Sequence, residues 1–138
     1  MPAPIEPTDV ACAVVVRDDG FVLAARRPAG KHLGGKWEFP GGKLEPGEAS
    51  GTALIREIHE ELATTVRLLH PFPVVEHAYP GFAIRLHPWL CQLTGPDPRA
   101  IEHSELRWVR PDALYQLDWA DADLPVLHHL VNALENRP

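Results

Sequence analysis

Residues 39–64 constrain the fold of this chain more strongly than any other segment. A turn-forming stretch, FPGGKLEPGE, precedes the helical pattern Ala49–Leu62, with a Pro-Gly breaker just ahead of it. The apolar side chains of that pattern recur at helical spacing: Leu54, Ile55, Ile58 and Leu62. Because a helix turns about 100° per residue, these side chains form one face that can pack on a sheet. The segment predicts a loop followed by an amphipathic helix docked on β-structure.

The polar side of the same helix carries three glutamates. Glu57, Glu60 and Glu61 fall within a sector of about 100°, so their carboxylates point the same way. Like charges this close repel by on the order of 1 kcal/mol per pair near a surface, unless a cation lies among them. A solvated helix face gives the same pattern, because Glu is a good helix former. The preceding glycines favour a second interpretation, in which backbone and carboxylate oxygens bind Mg²⁺ or Mn²⁺ beside a phosphate substrate.

The rest of the chain alternates β-like and helical segments. Residues 1–9 contain three prolines and are interpreted as a flexible arm, and residues 10–138 as one domain. An Asp-Gly turn between two apolar runs, Val10–Val16 and Phe21–Ala25, predicts a hairpin. The remaining predicted elements are strands within 66–79 and 82–93, a short strand Glu105–Val109 and a closing helix Leu124–Leu134. The predicted class is α/β, and some of the four prolines at 71, 73, 80 and 88 are expected at bulges or sheet edges.

Charge and composition exclude several classes of partner. The formal net charge is −6 and the pI is near 5.7, which argues against a nucleic-acid scaffold or an anionic membrane as partner. No apolar run reaches the roughly 20 residues that cross a bilayer, and the first ten residues lack signal-peptide features, so a cytoplasmic location is expected. Cys12 and Cys91 are too few for a disulfide framework or a zinc site and are interpreted as buried apolar residues.

The glycines and the acidic helix together resemble the Nudix hydrolase signature, G-x5-E-x7-R-E-U-x-E-E-x-G-U, in which U is a bulky aliphatic residue. The matching positions within residues 42–64 are Gly42, Glu48, Arg56, Glu57, Ile58, Glu60 and Glu61. Ala63 and Thr64 replace the expected glycine and last aliphatic residue, which predicts a less sharply turned helix exit. The similarity covers residues 10–134 and is greatest to the MutT-type branch, which removes damaged nucleotides from the pool. It implies an α/β/α sandwich with a mixed β-sheet.

The resemblance also implies a metal centre that binds Mg²⁺, with Mn²⁺ as the alternative. Its implied ligands are the Gly41 carbonyl and the carboxylates of Glu48, Glu57, Glu60 and Glu61. Glu48 would bind directly or through water, and Arg56 would orient the carboxylates of the helix. A further acid is expected from the loop that precedes Trp108, with Glu102 favoured over Glu105. The candidate catalytic residues are Arg56, Glu57, Glu60 and Glu102.

By the same resemblance, a nucleotide would lie against residues from several segments. The implied contacts are Arg27, His32, Glu38, Phe39, Gly41, Gly42, Lys43, Tyr79 and Asp123. Asp123 stands where MutT itself has asparagine. An ionised aspartate only accepts hydrogen bonds, which suits the N4 amino group of cytosine, whereas a protonated one also donates and can match 8-oxoguanine. A third interpretation is that Asp123 only caps the last helix.

These features predict a Mg²⁺-dependent pyrophosphohydrolase that converts a nucleoside triphosphate and water to the monophosphate and pyrophosphate. The expected substrate is a small free nucleotide, an oxidised one such as 8-oxo-dGTP. The alternative enzyme is a CTP or 5-substituted dCTP pyrophosphohydrolase. An alternative of another class is a catalytically silent Nudix module that binds nucleotide, against which the intact acidic residues argue. The histidines lack metal-ligand spacing and are predicted not to bind metal.

Overall fold

The computed structural model describes residues 6–136, which contain eight strands and two α-helices. The strands are β1 (Thr8–Val16), β2 (Val22–Arg26), β3 (Trp37–Glu38), β4 (Gly41–Lys43), β5 (Val66–Pro71), β6 (Val75–Tyr79), β7 (Phe82–Leu93) and β8 (Glu105–Val109). The helices are α1 (Ser50–Leu62) and α2 (Leu124–Glu135), and short 3-10 helices cover Pro111–Gln116 and Asp121–Asp123. The predicted hairpin, acidic helix, short eighth strand and closing helix are confirmed. Neither α1 nor α2 combines the length and the hydropathy needed to cross a bilayer.

All eight strands join one mixed sheet. Its main order is β3-β2-β1-β7-β5, with β4 also paired to β1, β6 to β7 and β8 to β2. β1 and β7 run parallel from Thr8 opposite Ile84 to Val16 opposite Gln92, and all other pairs are antiparallel. Parallel neighbours cannot be joined by a tight turn, and the chain between them forms strands β2 to β6 and helix α1.

Two prolines of the middle strands lie where the pairing partner of β7 changes from β6 to β5. Pro71 ends β5, and Pro88 lies in β7 opposite the gap between β5 and β6. The Pro88 carbonyl accepts a hydrogen bond from the Phe72 N–H at 2.9 Å. Because proline has no N–H to donate, it is tolerated where the adjacent strand is broken.

Separate apolar cores lie on the two faces of the sheet. Successive residues of β1 point to opposite faces, as strand geometry requires. The core under α1 includes Ala11, Ala13, Val15, Leu54, Ile58 and Leu62. The core under α2 includes Cys12, Val14, Val126, Leu127 and Leu130. The helices therefore cover opposite faces, which is the predicted α/β/α sandwich, and both cysteines are buried free thiols as predicted.

Helix α1 is rotated relative to its predicted apolar face. Leu54, Ile58 and Leu62 are at most 1% exposed, but Ile55 is 42% exposed, so the prediction that Ile55 packs on the sheet is wrong. Ile55 follows Leu54 by about 100° around the helix, whereas Glu61 returns to within about 20° of Leu54 after seven residues. The side of α1 that faces inward therefore includes Glu61 instead of Ile55.

The exit of helix α1 is sharp, contrary to the prediction from its missing glycine. Ala63 adopts the left-handed conformation, with φ 52° and ψ 39°, and its N–H donates to the His59 carbonyl at 3.1 Å. This conformation costs an L-residue other than glycine about 1 kcal/mol. Thr64 is buried in place of the expected aliphatic residue, and its hydroxyl donates to the Pro96 carbonyl.

The first strand begins earlier than predicted. β1 starts at Thr8, two residues before the predicted apolar run Val10–Val16. Asp9 accepts hydrogen bonds from Arg85 at 3.2 Å and His87 at 2.9 Å, both on β7, and these contacts tie the start of β1 to the sheet. Residues 1–5 of the predicted arm lie outside the described residues.

Candidate active site

A cleft of about 640 Å³ opens against β1, β4 and helix α1. Every residue predicted to contact a nucleotide lines it, although these residues come from segments spread over positions 27–123. Of the predicted catalytic and metal-binding carboxylates, Glu57, Glu61 and Glu102 also line it. The fold therefore brings the nucleotide-contact residues into one cavity with part of the acidic cluster, by which we mean Glu48, Glu57, Glu60, Glu61 and Glu102.

Gly41 and Gly42 form the short strand β4, not the loop that the sequence predicted. They pair with Cys12 and Ala11 of β1. A Cβ atom on Gly41 would lie 1.8 Å from the Ala11 carbonyl oxygen, and one on Gly42 would lie 2.3 Å from the Glu57 carboxyl carbon. Neither glycine has a positive φ, so glycine is needed here for close approach and not for a turn. The absent Cβ of Gly42 is what lets the Glu57 carboxylate lie against the strand.

Arg56 binds the carboxylates on the outer side of the cluster. Its guanidinium donates to both oxygens of Glu48, at 2.8 and 3.1 Å, to Glu57 Oε1 at 2.8 Å and to Glu60 Oε2 at 3.4 Å. Hydrogen bonds from Arg56 lower the pKa of Glu48 to about 2. Glu48 and Glu60 do not line the cleft, and the Glu60 side chain is 57% exposed. Arg56 therefore contacts both of these predicted metal ligands, and neither is among the residues that line the cleft.

Glu61 has the opposite surroundings. It lies beside Glu102 and Glu57, and none of the groups that shift its pKa is a cation. Burial is the largest cause, followed by the charges of Glu102 and Glu57, and together they raise the pKa of Glu61 to about 8. Glu105, the less favoured acid of the same loop, pairs with Arg107 at 2.8 Å. The late loop therefore contributes Glu102 to the acidic cluster.

Asp123 lies in the cleft at the start of α2 and is 7% exposed. Its Oδ1 accepts a hydrogen bond from the Phe39 N–H at 2.9 Å, and its side chain makes no capping hydrogen bond to α2. The interpretation that Asp123 only caps the helix is therefore wrong. Burial, with a smaller contribution from the charge of Glu38, raises the pKa of Asp123 to about 8. Near pH 7 this carboxyl is mostly protonated, so it can both donate and accept.

Aromatic rings form one wall near Asp123. Tyr79 stacks on Phe82 with ring centroids 5.0 Å apart, and the His32 ring meets Phe82 edge-on at 4.7 Å. The Tyr79 hydroxyl accepts from the Ala122 N–H at 3.0 Å. Phe82 was missed by sequence reasoning, although it follows Tyr79 in the same hairpin. Phe39 packs on Trp119 at 4.6 Å, so it reaches Asp123 through its backbone.

Arg27, Glu38 and His103 form a chain of contacts in the cleft. Arg27 donates to the His32 carbonyl at 2.7 Å and to Glu38 Oε1 at 3.1 Å. The other Glu38 oxygen lies 3.0 Å from His103 Nε2. His103 was not among the predicted site residues, although its position directly after Glu102 was the available signal. Glu38 contributes to the raised pKa of both Glu61 and Asp123, so it lies between the acidic cluster and the aromatic wall.

Comparisons with known proteins assign the chain to a family. Residues 11–129 match the NUDIX domain family. The chain belongs to the Nudix family. It is 35% identical over 126 residues to CTP pyrophosphohydrolase of Escherichia coli (strain K12), covering 91% of this chain and 93% of that protein. It is 31% identical over 121 residues to the 8-oxo-dGTP diphosphatase of the same organism, covering 88% and 94%.

Solved Nudix structures agree with the fold. The solution structure of the E. coli ORF135 protein superposes with a TM-score of 0.82 and 34% identity, covering 97% of this chain and 95% of that one. The crystal structure of MutT protein from Methanosarcina mazei Go1 has a TM-score of 0.83, covering 99% and 100%, but only 19% identity, so it supports the fold alone.

The acidic cluster of this Nudix chain fits a divalent ion that keeps much of its hydration. Within residues 6–136, no three histidine, cysteine, aspartate or glutamate side chains form a group that could hold a metal ion. Mg²⁺ is commonly bound by one or two carboxylates together with waters and substrate phosphates. Glu57 keeps Oε1 on Arg56, while its Oε2 lies against Gly42 in the cleft. Glu57 and Glu61 match such a two-carboxylate site.

Proposed function

We propose that this Nudix hydrolase converts a nucleoside triphosphate and water to the nucleoside monophosphate and pyrophosphate. Its cofactor is Mg²⁺. Its substrates are oxidised nucleotides of the cytoplasmic pool, such as 8-oxo-dGTP. The observation that carries the proposal is that one cleft contains a buried carboxyl, Asp123, together with Glu57 and the uncompensated acid Glu61. The names of the two E. coli relatives support hydrolysis of free nucleotides.

The chemistry divides among the residues of the cleft. Glu57 and Glu61 would hold Mg²⁺, which when bound offsets phosphate charge and lowers the pKa of water. Arg56 keeps Glu57 in place by binding Oε1, which leaves Oε2 on the side of the cleft. Glu102 lies beside Glu61 and is our candidate to accept the proton of the attacking water. Glu60 is less suited to that role because it lies outside the cleft against Arg56.

Cations of the cleft are available to the phosphates. Lys31 and Lys43 are exposed residues that line the cleft, and Arg27, which pairs with Glu38, also lines it. Ammonium and guanidinium groups form charge-assisted hydrogen bonds with phosphate oxygens. We therefore assign the triphosphate to the side of these cations and the acidic cluster, and the base to the side of Tyr79 and Asp123.

Asp123 supplies the argument for an oxidised purine. A protonated carboxyl can donate to O6 of 8-oxoguanine and accept from its N7–H. Unmodified guanine has no hydrogen at N7 and presents an acceptor there, so it lacks the second bond. The raised pKa of Asp123 thus favours 8-oxo-dGTP over dGTP near neutral pH.

A cytosine nucleotide is the second candidate substrate. The 35% identity to E. coli CTP pyrophosphohydrolase favours it. When Asp123 is ionised, it only accepts hydrogen bonds and suits the N4 amino group of cytosine. The two candidates therefore make opposite demands on the proton of Asp123.

Pyrophosphate release with Mg²⁺ from 8-oxo-dGTP, dGTP, CTP and a 5-substituted dCTP tests the proposal. We expect the wild type to prefer 8-oxo-dGTP over dGTP by about tenfold or more, the value of one hydrogen bond to a buried polar group. Asp123→Asn should keep this preference, because asparagine also donates and accepts. Asp121→Asn, on the same short 3-10 helix but exposed and outside the cleft, is the matched control.

Two results would contradict separate parts of the proposal. A wild-type protein that binds these nucleotides but releases no pyrophosphate from any of them is a catalytically silent module. If Asp123→Ala has the same relative kcat/KM values across the panel as the wild type, Asp123 does not determine the base preference.

A further inference from the structure

The loop between β7 and β8 places a histidine inside the cleft. The Ser104 N–H and hydroxyl both donate to the Arg26 carbonyl, at 3.0 and 3.3 Å, which anchors the end of the loop to the last residue of β2. His103 precedes this anchor and lines the cleft, and its side chain is only 6% exposed. The backbone anchor at Ser104 therefore places the His103 ring in the lining of the cavity.

His103 and Arg27 hold the two oxygens of one carboxylate. Arg27 binds Glu38 Oε1 at 3.1 Å, and His103 Nε2 lies 3.0 Å from Glu38 Oε2. A carboxylate paired with a guanidinium only accepts, so the Nε2 atom carries the hydrogen. A carboxylate that is hydrogen-bonded at both oxygens cannot rotate freely about its last bond. Loss of the His103 contact would free Glu38 to leave Arg27.

The contact with Glu38 is the only side-chain hydrogen bond that the His103 ring makes within residues 6–136. His103 Nδ1 is buried and has no hydrogen-bond partner in the described part of the chain. A buried polar atom without a partner costs free energy, and such atoms call for an explanation at each occurrence. Here the ring keeps one nitrogen unsatisfied while the other binds a carboxylate that lines the cleft.

Glu38 in turn restrains the guanidinium of Arg27. The guanidinium is held at Nε by the His32 carbonyl and at one terminal nitrogen by Glu38. Its other terminal nitrogen makes no hydrogen bond within residues 6–136. That nitrogen is free for a ligand in the cleft that Arg27 lines.

We propose that His103 is a positioning residue for nucleotide binding. By holding Glu38 Oε2, it keeps Glu38 against Arg27, and Arg27 is thereby fixed with one terminal nitrogen available to the nucleoside triphosphate. This inference rests on the proposed function. His103 itself does not touch the substrate in this account, and its effect passes entirely through Glu38.

The test compares replacements that differ in the position of their donor. The amide nitrogen of glutamine is three bonds from Cβ, as Nε2 of histidine is, whereas that of asparagine is only two. With the best nucleoside triphosphate of the wild type, His103→Ala and His103→Asn should raise KM by about tenfold, the loss of a hydrogen bond to a charged group, and change kcat by less than about threefold. His103→Gln should keep KM within about threefold of wild type. His70→Ala, exposed on β5 and outside the cleft, is the control.

Thermal unfolding of all variants separates binding from folding. The proposal is overturned if His103→Gln and His103→Asn raise KM equally at matched Tm, or if the loss lies in kcat alone. A second test uses Glu38→Gln as background. If His103 acts through Glu38, adding His103→Ala to Glu38→Gln should raise KM by less than about twofold. A full tenfold rise in that background would show that His103 acts by another route.

The positioning role and the proposed function fail in different ways. If wild type releases no pyrophosphate from any nucleoside triphosphate, the proposed function is contradicted, while the contact is tested by ¹⁵N NMR of the His103 ring. We expect a protonated Nε2 whose signal shifts in Glu38→Gln. An unprotonated Nε2, or a signal indifferent to Glu38→Gln, would overturn the contact itself. Normal turnover with unchanged KM in His103→Ala would overturn only the positioning role.

Discussion

Glu48 and Glu61 belong to the same acidic segment, yet their surroundings shift their acidities in opposite directions. Arg56 binds both oxygens of Glu48 and lowers its pKa to about 2. Burial beside Glu102 and Glu57 raises the pKa of Glu61 to about 8. An adjacent cation stabilises the charged form of a carboxyl, whereas a low-dielectric site shared with other acids destabilises it.

The difference separates acids that support the fold from acids suited to binding a cation. The contribution of Glu48 is present above its ordinary pKa near 4.5 and is lost as the pH falls toward 2. Glu61 costs stability as the pH rises from about 4.5 to about 8, because the folded chain resists its ionisation. The fold compensates Glu48 outside the cleft and leaves Glu61 uncompensated inside it, where a divalent ion can supply the missing positive charge.

The largest effect is expected from Glu61→Gln. This change removes a carboxylate from the proposed two-carboxylate site, so pyrophosphate release should fall by at least about a hundredfold. Without divalent ions the variant should unfold at a higher temperature than wild type at pH 8, because a buried, poorly tolerated charge is gone. Activity assays and thermal unfolding check both parts. Near-wild-type turnover would remove Glu61 from the metal centre, and Glu45→Gln, on the exposed turn before α1, is the control.

Asp123→Asn extends the comparison to the other uncompensated carboxyl. The pKa of Asp123 is raised to about 8, so the wild type should lose stability as the pH rises from about 4 to about 8, and the variant, which keeps only the contribution of Glu61, should lose less. Asparagine also keeps an acceptor for the Phe39 N–H. We expect the variant to be more stable than wild type by roughly 2–4 kcal/mol at pH 8, with a smaller difference at pH 5. Urea unfolding across this range measures it, and parallel stability curves would contradict the buried, raised pKa.

Arg56→Lys tests the acids whose charge Arg56 compensates. Lysine cannot reproduce the planar arrangement of donors that reaches Glu48, Glu57 and Glu60 together. Because Glu57 loses its orientation, kcat/KM should fall by about tenfold. The Tm should fall at pH 7, and the difference from wild type should shrink as Glu48 is protonated toward pH 2. A Tm difference that does not depend on pH would contradict the ion-pair account, and Arg110→Lys, an exposed pair with Asp112, is the control.

The smallest effect is expected from Ala63→Gly, at the residue that ends helix α1. Glycine adopts the left-handed conformation of residue 63 without steric cost, so stability should rise by about 0.5–1 kcal/mol. This gain should not vary with pH, and activity should stay unchanged. Ala53→Gly, in the buried middle of α1, should instead destabilise the protein by about 1 kcal/mol or more. If the stability gain of Ala63→Gly varied with pH, the conformation of residue 63 would affect the titration of the acids.

Local features of the fold follow from local sequence. The helical spacing from Ala49 to Leu62 predicted a helix that the structure begins at Ser50 and ends at Leu62. The strand Glu105–Val109 has its predicted bounds, although its partner β2 lies far away in the sequence. The resemblance to the Nudix signature also identified Arg56 as the partner of the helix carboxylates, which the hydrogen bonds show.

The remaining features depend on contacts between distant segments. The rotation that exposes Ile55 and turns Glu61 inward is set by packing against the sheet, which helical periodicity does not encode. Gly41 and Gly42 become a strand only because β1 lies beside them. His103 meets Glu38 across 65 positions of sequence, and nothing in either local segment indicates that contact.

The central claim is that two carboxylates of the cleft, Glu57 and Glu61, bind a divalent ion beside a triphosphate. The most direct test is a crystal structure with Mn²⁺ and a non-hydrolysable nucleoside triphosphate analogue, using anomalous scattering to locate the metal. The account predicts an anomalous peak within coordination distance of both Glu57 and Glu61, next to phosphate oxygens. A fully occupied analogue in the cleft with no such peak at either carboxylate would contradict it.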